Sequence, residues 1–211
     1  MKTYSIGLIG LEQRRTVVFG GGPVAARKAA GLLAAGARVT VISPALSAEM
    51  QAWADAGAVT VVERVYQPGD LRGVFLAVAA TDDPVANQAI WQEANAEHCL
   101  VNVVDQPALS HFIVPAVVRR GEISVTVSTG GASPALTRHL RETLESVIGP
   151  EYGDLAELLA ELRPELIEHY PASEARLAAV RQLIEAGVLD IIRREGRAAG
   201  RQFAQQALLT R

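Results

Sequence analysis

Gly20-Gly21-Gly22-Pro23-Val24-Ala25 follows a β-branched run, Thr16-Val17-Val18-Phe19, and opens a helical stretch from Val24 to Ala35. Glycines in the first and third places and alanine in the sixth match the G-x-G-x-x-A turn that seats a dinucleotide pyrophosphate. Gly20 permits the turn, Gly22 lets the backbone approach the phosphates, and Ala25 keeps the helix close to the sheet. The helix start adds unpaired N–H groups and the positive end of its dipole. Dinucleotide sites ordinarily carry Asp or Glu about 20 residues further on, to accept from the adenine ribose. Ser43-Pro44 stands there instead. A hydroxyl can still bond the ribose, but it sets no charge against a 2′-phosphate, so the residues leave NAD and NADP both open.

Asp105 falls at the end of a predicted strand, Leu100 to Val104, on the edge where open α/β sheets bind ligands. A carboxylate there suits a general base or a partner for N–H groups, and a turn acid is the alternative. Thr81-Asp82-Asp83-Pro84 leaves another strand on that edge; Asp82 or Asp83 with Pro84 reads as a helix start, and Asp82 is read equally as a nicotinamide-ribose contact. Ser128-Thr129-Gly130-Gly131-Ala132-Ser133-Pro134 is a second glycine turn entering a helix, a physically suitable anion seat, with Arg138 and Arg141 on one side of that helix. Those arginines face either solvent or an acidic ligand. His98, His111, His139 and His169 lack metal-ligand spacing, and Cys99 is the one cysteine, so the motifs give no preformed metal site.

These groups need elements to hold them. Strands and helices alternate through residue 113, which predicts an α/β Rossmann-type parallel sheet. The expected second helix covers Leu46–Ala56, and the fourth strand Val74–Ala80. An alternating strand, Ile123–Thr129, and a helix from Pro134 to Val147 capped by Ser133 make a small mixed α+β segment over 114–149. Gly149-Pro150 marks a stop. Residues 150–211 read as a helical domain broken at Pro164, Pro171 and Gly187, with Leu155, Leu158, Leu159 and Leu162 on one stripe and too little area to stand without a neighbour.

A net charge of −3, from 23 acids against 20 lysines and arginines, argues against a broad nucleic-acid footprint. Lys2 and Lys28 are the only lysines, so arginine forks are the main partners for an anionic ligand. No apolar stretch approaches the 18 or so residues of a membrane span. The start, Met1-Lys2-Thr3-Tyr4-Ser5, does not read as an export signal, and a cytoplasmic location is expected.

Five ordered stretches carry a family resemblance: Val18 to Ala25 with Arg27-Lys28-Ala29, Ala77 to Asp83, Asn102-Val103-Val104-Asp105, Phe112 to Ala116, and Ser128 to Ala135. In these the chain resembles the siroheme synthase N-terminal module, also found as a stand-alone precorrin-2 dehydrogenase with sirohydrochlorin ferrochelatase activity. The resemblance implies NAD as cofactor, oxidation of precorrin-2 to sirohydrochlorin, and Fe(II) as substrate if the chelatase step occurs. It implies a homodimer built partly from residues 114–147, and a separate methyltransferase that supplies precorrin-2. By position Asp105 matches the family's essential aspartate, Ser128 a serine near the tetrapyrrole pocket, and Gly130-Gly131 part of that pocket's wall. The substrate's carboxylates would give Arg119, Arg120, Arg138 and Arg141 a purpose by charge alone. Two other readings fit the dinucleotide turn: an NAD(P)-dependent reductase of another anionic metabolite, and a non-enzymatic NAD(H)-sensing module.

Overall fold

The computed structural model describes residues 3–209; Met1 and Lys2, on which the export-signal reading rests, lie outside the described residues. The chain forms two compact units that meet at Val114–Pro115. Val114 closes the first unit, and residues 115–149 lie in the second together with the helices from 150 on.

In the first unit β1 (Arg15–Phe19), α1 (Pro23–Ala34), β2 (Arg38–Ile42), α2 (Ala48–Asp55), β3 (Val59–Val62), β4 (Leu76–Ala79), α3 (Pro84–Ala96) and β5 (Leu100–Val103) follow one another. The five strands form one parallel sheet in the order β3-β2-β1-β4-β5. Alternate residues of a strand face opposite sides, which divides the core in two. Val18, Val41 and Val78 pack with Ala25, Ala26, Ala29 and Met50, while Val17, Phe19, Ala77 and Val101 pack with Ile90 and Ala94. The three buried alanines of α1 let its backbone lie close against the strands.

Of the boundaries that shift from their expected places, two show a local reason. The second helix starts at Ala48 rather than Leu46, because Ser47 caps it, its Oγ accepting from Met50 N–H at 3.4 Å. The fourth strand starts at Leu76 rather than Val74: the Val74 N–H turns back to the Leu71 carbonyl at 3.0 Å, beside Gly73 with φ +67°.

The second unit opens with an antiparallel hairpin, β6 (Ala116–Arg120) against β7 (Ile123–Val127), turning at Gly121 with φ +55°. Pairing rather than pattern makes β6: Ala116-Val117-Val118-Arg119-Arg120 has no alternation to announce a strand. Six helices follow: α4 (Pro134–Val147), α5 (Pro150–Glu161), α6 (Arg163–His169), α7 (Ser173–Glu185), α8 (Val188–Glu195) and α9 (Arg197–Leu209). Pro164 sits in the first turn of α6, where its missing N–H costs nothing, and a further break falls at Gly196 with φ +87°. Leu155, Leu158, Leu162, Leu166, Leu183 and Ile192 form an apolar core of the helices' own, with Leu159 at its margin. The acids of α5 add ion pairs: Arg193 binds Glu151 at 2.5 Å, and Arg197 reaches Glu157 and Glu161.

Candidate functional site

The glycine turn divides its work among three residues. Gly20 has φ +107°, and a Cβ there would stand 2.4 Å from the Ala80 carbonyl oxygen, so only glycine fits between β1 and β4. Gly21 is closed off as well: a Cβ would lie 2.1 Å from the Ala45 oxygen and 2.9 Å from Ser43 Oγ, and its carbonyl accepts from Ser47 N–H at 2.7 Å. Gly22 is the opposite case. It is exposed, it caps α1 without any side-chain bond, and a Cβ on it would meet nothing within 4 Å. The open space over Gly22 lies at a helix start whose first N–H groups have no intrahelical acceptor. Gly22, Pro23 and Val24 are exposed and border that opening, whereas Ala25, expected to join them at the cofactor, is buried against the sheet and can offer only its backbone.

Ser43 is buried, and its hydroxyl donates to the Ala45 carbonyl at 2.7 Å. That bond closes the β2–α2 turn and turns the hydroxyl inward. Arg38 donates from Nε to the Glu12 carbonyl at 2.7 Å, at the amino end of β2 and a strand's length from the glycines.

Register fixes what lies beside the turn. Phe19 pairs with Ala79 and Ala79 with Val103, so the chain leaves β1, β4 and β5 at one level. After β4, Thr81 Oγ1 meets Asn87 Oδ1 at 2.8 Å while Asn87 Nδ2 donates to the Thr81 carbonyl at 3.0 Å. Asn87 is buried, and sequence reasoning had passed it over. Asp83, not Asp82, caps α3, accepting from Val85 N–H at 2.8 Å. Asp82 is thereby left exposed on the loop without a cap to make.

After β5, Asp105 is exposed and has φ +58°, a left-handed conformation rare for a residue with a Cβ but tolerated by Asp. Its carboxylate makes no hydrogen bond or ion pair among the described residues. It does feel Lys28 on α1: burial, with Arg27 next to it, holds the Lys28 ammonium below the usual lysine range, and the Asp105 charge pulls the other way. A half-buried cation facing an unpaired acid was not foreseen; its signal was a lysine next to the buried Ala29 on a helix otherwise packed through alanines. Asn102 is buried, its Nδ2 donates to the Phe112 carbonyl at 3.0 Å, and its Oδ1 has no partner.

In the second unit Ser128 is exposed and its Oγ accepts from Gly130 N–H at 3.1 Å. Gly130 and Gly131 have φ +62° and +87°, so the turn into α4 requires both glycines. Ser133 caps α4, accepting from Leu136 N–H at 3.2 Å. The four arginines differ. Arg120 donates to the Ile148 and Glu145 carbonyls at 2.8 and 3.2 Å and so closes the C-terminal end of α4. Arg138 pairs with Glu142 at 2.9 Å and Arg141 with Glu145 at 2.5 Å, both one turn on. Arg119 is exposed. Among the described residues no three His, Cys, Asp or Glu side chains gather as a metal site, and no helix is long and apolar enough to cross a membrane.

A parallel sheet with a glycine turn after β1 defines the class as a dinucleotide-binding α/β protein, with the Asp105 carboxylate exposed after β5 at the carboxyl edge of the sheet. Comparison with known proteins narrows the class. A family model described as NAD(P)-binding matches residues 8–116, and one described as sirohaem biosynthesis protein, central, matches 120–146. A siroheme synthase of Escherichia coli O157:H7 is 45% identical over 72% of this chain and 34% of its own length. One of Thioalkalivibrio sulfidiphilus is 41% identical over 95% of this chain and 41% of its own. The chain thus spans well under half the length of these curated relatives. A solved structure titled SirC, precorrin-2 dehydrogenase, superposes over 98% of both chains with a TM-score of 0.70 and 33% identity. The chain belongs to the siroheme synthase N-terminal module family.

Proposed function

We propose that this chain oxidises precorrin-2 to sirohydrochlorin with NAD as hydride acceptor. The observation that carries the proposal is the common level at which Gly20, Ala80 and Val104 leave their strands. Bound NAD supplies the acceptor for the hydride. The open Gly22 turn holds the pyrophosphate, with Ser43 bounding its floor, and the Thr81–Asp82 loop held by Asn87 stands between it and Asp105. The unpaired Asp105 carboxylate takes the proton that leaves as the hydride departs, so the substrate loses two hydrogens in all. Lys28 on α1 sets a positive charge near that acid as a polyanionic substrate approaches.

The same carboxylate serves a second step, taking pyrrole protons as Fe(II) enters sirohydrochlorin. Within the second unit, Ser128, the Gly130-Gly131 turn and Arg119 are the residues open to tetrapyrrole carboxylates. Arg120, Arg138 and Arg141 would have to give up carbonyls or glutamates to bind substrate carboxylates, which makes Arg119 the first of the four to test. The protein works as a homodimer in the cytoplasm.

The test is anaerobic addition of precorrin-2 and NAD to purified protein, followed by absorbance. The sirohydrochlorin spectrum rising with NADH is expected. NADH formation only with other anionic metabolites would favour a different reductase, and cofactor binding without any turnover would favour a sensing module. Adding Fe(II) to sirohydrochlorin with and without protein tests the chelatase step, and light scattering tests the dimer.

A further inference from the structure

We infer that Ser110 is a positioning residue for Asp105, an inference that rests on the proposed role of that acid. Asp105 is the third residue of the Val103–Gln106 turn, and its left-handed backbone is not what a chain leaving a strand adopts unaided. One hydroxyl grips both ends of the turn. Ser110 Oγ accepts from Val103 N–H at 2.9 Å and lies 3.2 Å from the Val103 carbonyl and 3.0 Å from the Gln106 carbonyl. Its single proton goes to one of those oxygens at a time. The Gln106 N–H closes the turn onto the Val103 carbonyl at 3.1 Å.

Ser110 is itself anchored. Its N–H donates to the Pro107 carbonyl at 3.3 Å, and the next N–H, of His111, donates to the Val101 carbonyl at 2.8 Å. β5 is an edge strand, so the Val103 N–H has no neighbouring strand to bond, and Ser110 serves it instead. The same clasp that covers the edge therefore fixes where the Asp105 side chain starts.

The test compares Ser110→Ala, Ser110→Thr, Asp105→Asn and the double variant Ser110→Ala/Asp105→Asn, in the full chain with precorrin-2 and NAD. Ser110→Ala is expected to lower kcat about ten- to a hundredfold, the scale of an ångström-sized misplacement, with NAD Kd within about twofold. Amide exchange at Val103 and Gln106 should quicken, and Ser110→Thr, which keeps the hydroxyl, should recover most of kcat. The double variant should turn over no more slowly than Asp105→Asn alone, because Ser110 acts through that acid. Where Ser110→Ala does not fold, Ser110→Cys, a near-isostere with a weak donor, replaces it with the same expectation of lowered kcat. An unchanged kcat in folded Ser110→Ala or Ser110→Cys, or a further loss in the double variant, overturns the inference. Full turnover by Asp105→Asn would instead overturn the role of the acid itself.

Discussion

Gly22→Ala should separate cofactor binding from folding. The residue has φ −75° and ψ −180°, extended backbone open to alanine, and the added methyl group would touch nothing. Replacing glycine at such a position lowers the entropy of the unfolded chain and stabilises by about 0.4–1 kcal/mol, a few degrees in Tm for a unit of this size. The same methyl group occupies the space that gives a pyrophosphate access to the first N–H groups of α1. Hydrogen bonds to a charged oxygen contribute about 1.5–3 kcal/mol each. Losing one or two weakens NAD about tenfold to about twenty-thousandfold, at 1.4 kcal/mol per factor of ten. Gly21→Ala is the control, since its Cβ would fall 2.1 Å from a backbone oxygen and the β2–α2 turn must move. Thermal unfolding with calorimetric NAD titration should show Gly22→Ala folded and poor in binding, and Gly21→Ala less stable. A folded Gly22→Ala protein that binds NAD as tightly as the parent refutes the placement of the pyrophosphate.

Asp105→Asn, which tolerates the left-handed backbone, should keep NAD affinity while turnover falls about 10²–10⁴-fold in the precorrin-2 assay. Asn87→Ala removes both bonds to Thr81, and calorimetry should find weaker NAD binding together with a stability loss of about 1–3 kcal/mol by denaturant titration. Burial alone would raise the Glu151 carboxyl, but the Arg193 hydrogen bond, its own N–H and the charges of Arg193 and Arg120 outweigh that and hold it below the usual range. A lowered folded-state value stabilises above the unfolded carboxylate value of about 4.3 and is lost as pH falls through the folded value. Glu151→Gln should therefore be less stable at pH 7, with a gap that closes below about pH 4 in thermal unfolding.

What could be read from the sequence was what is local. The α1 glycines, the Ser133 and Asp83 caps and the strand–helix alternation depend on neighbours within a few residues, and the five parallel strands follow from them. Gly21 was grouped with its neighbours at the cofactor turn, yet its packing against Ala45 comes from a loop two dozen residues away. Arg120 carried the right charge for a polyanion, but its fork closes a helix end 25 and 28 residues on. β6 has no period of its own and is a strand because β7 pairs with it. Ser110 and Asn87 are polar residues in ordinary-looking stretches, and only the folded turn shows what each hydroxyl or amide grips.

The strand order makes the division of labour at the edge intelligible. From β1 the chain winds outward to β2 and β3, then returns to lay β4 and β5 on the other side, so a crevice opens between the carboxyl ends of β1 and β4. The glycine turn stands on one wall of that crevice, and the loop after β4 stands on the other. Asp105 follows β5, two strand spacings from β1, about 10 Å across the sheet. Under the proposed function, a pyrophosphate at α1 would be separated from the acid by the width of one strand, β4. Because parallel hydrogen bonding fixes the level of all three strand ends, that separation belongs to the register rather than to any one side chain. Side chains decide the rest: Asn87 sets the loop in the middle, and Ser110 sets the carboxylate at the far side.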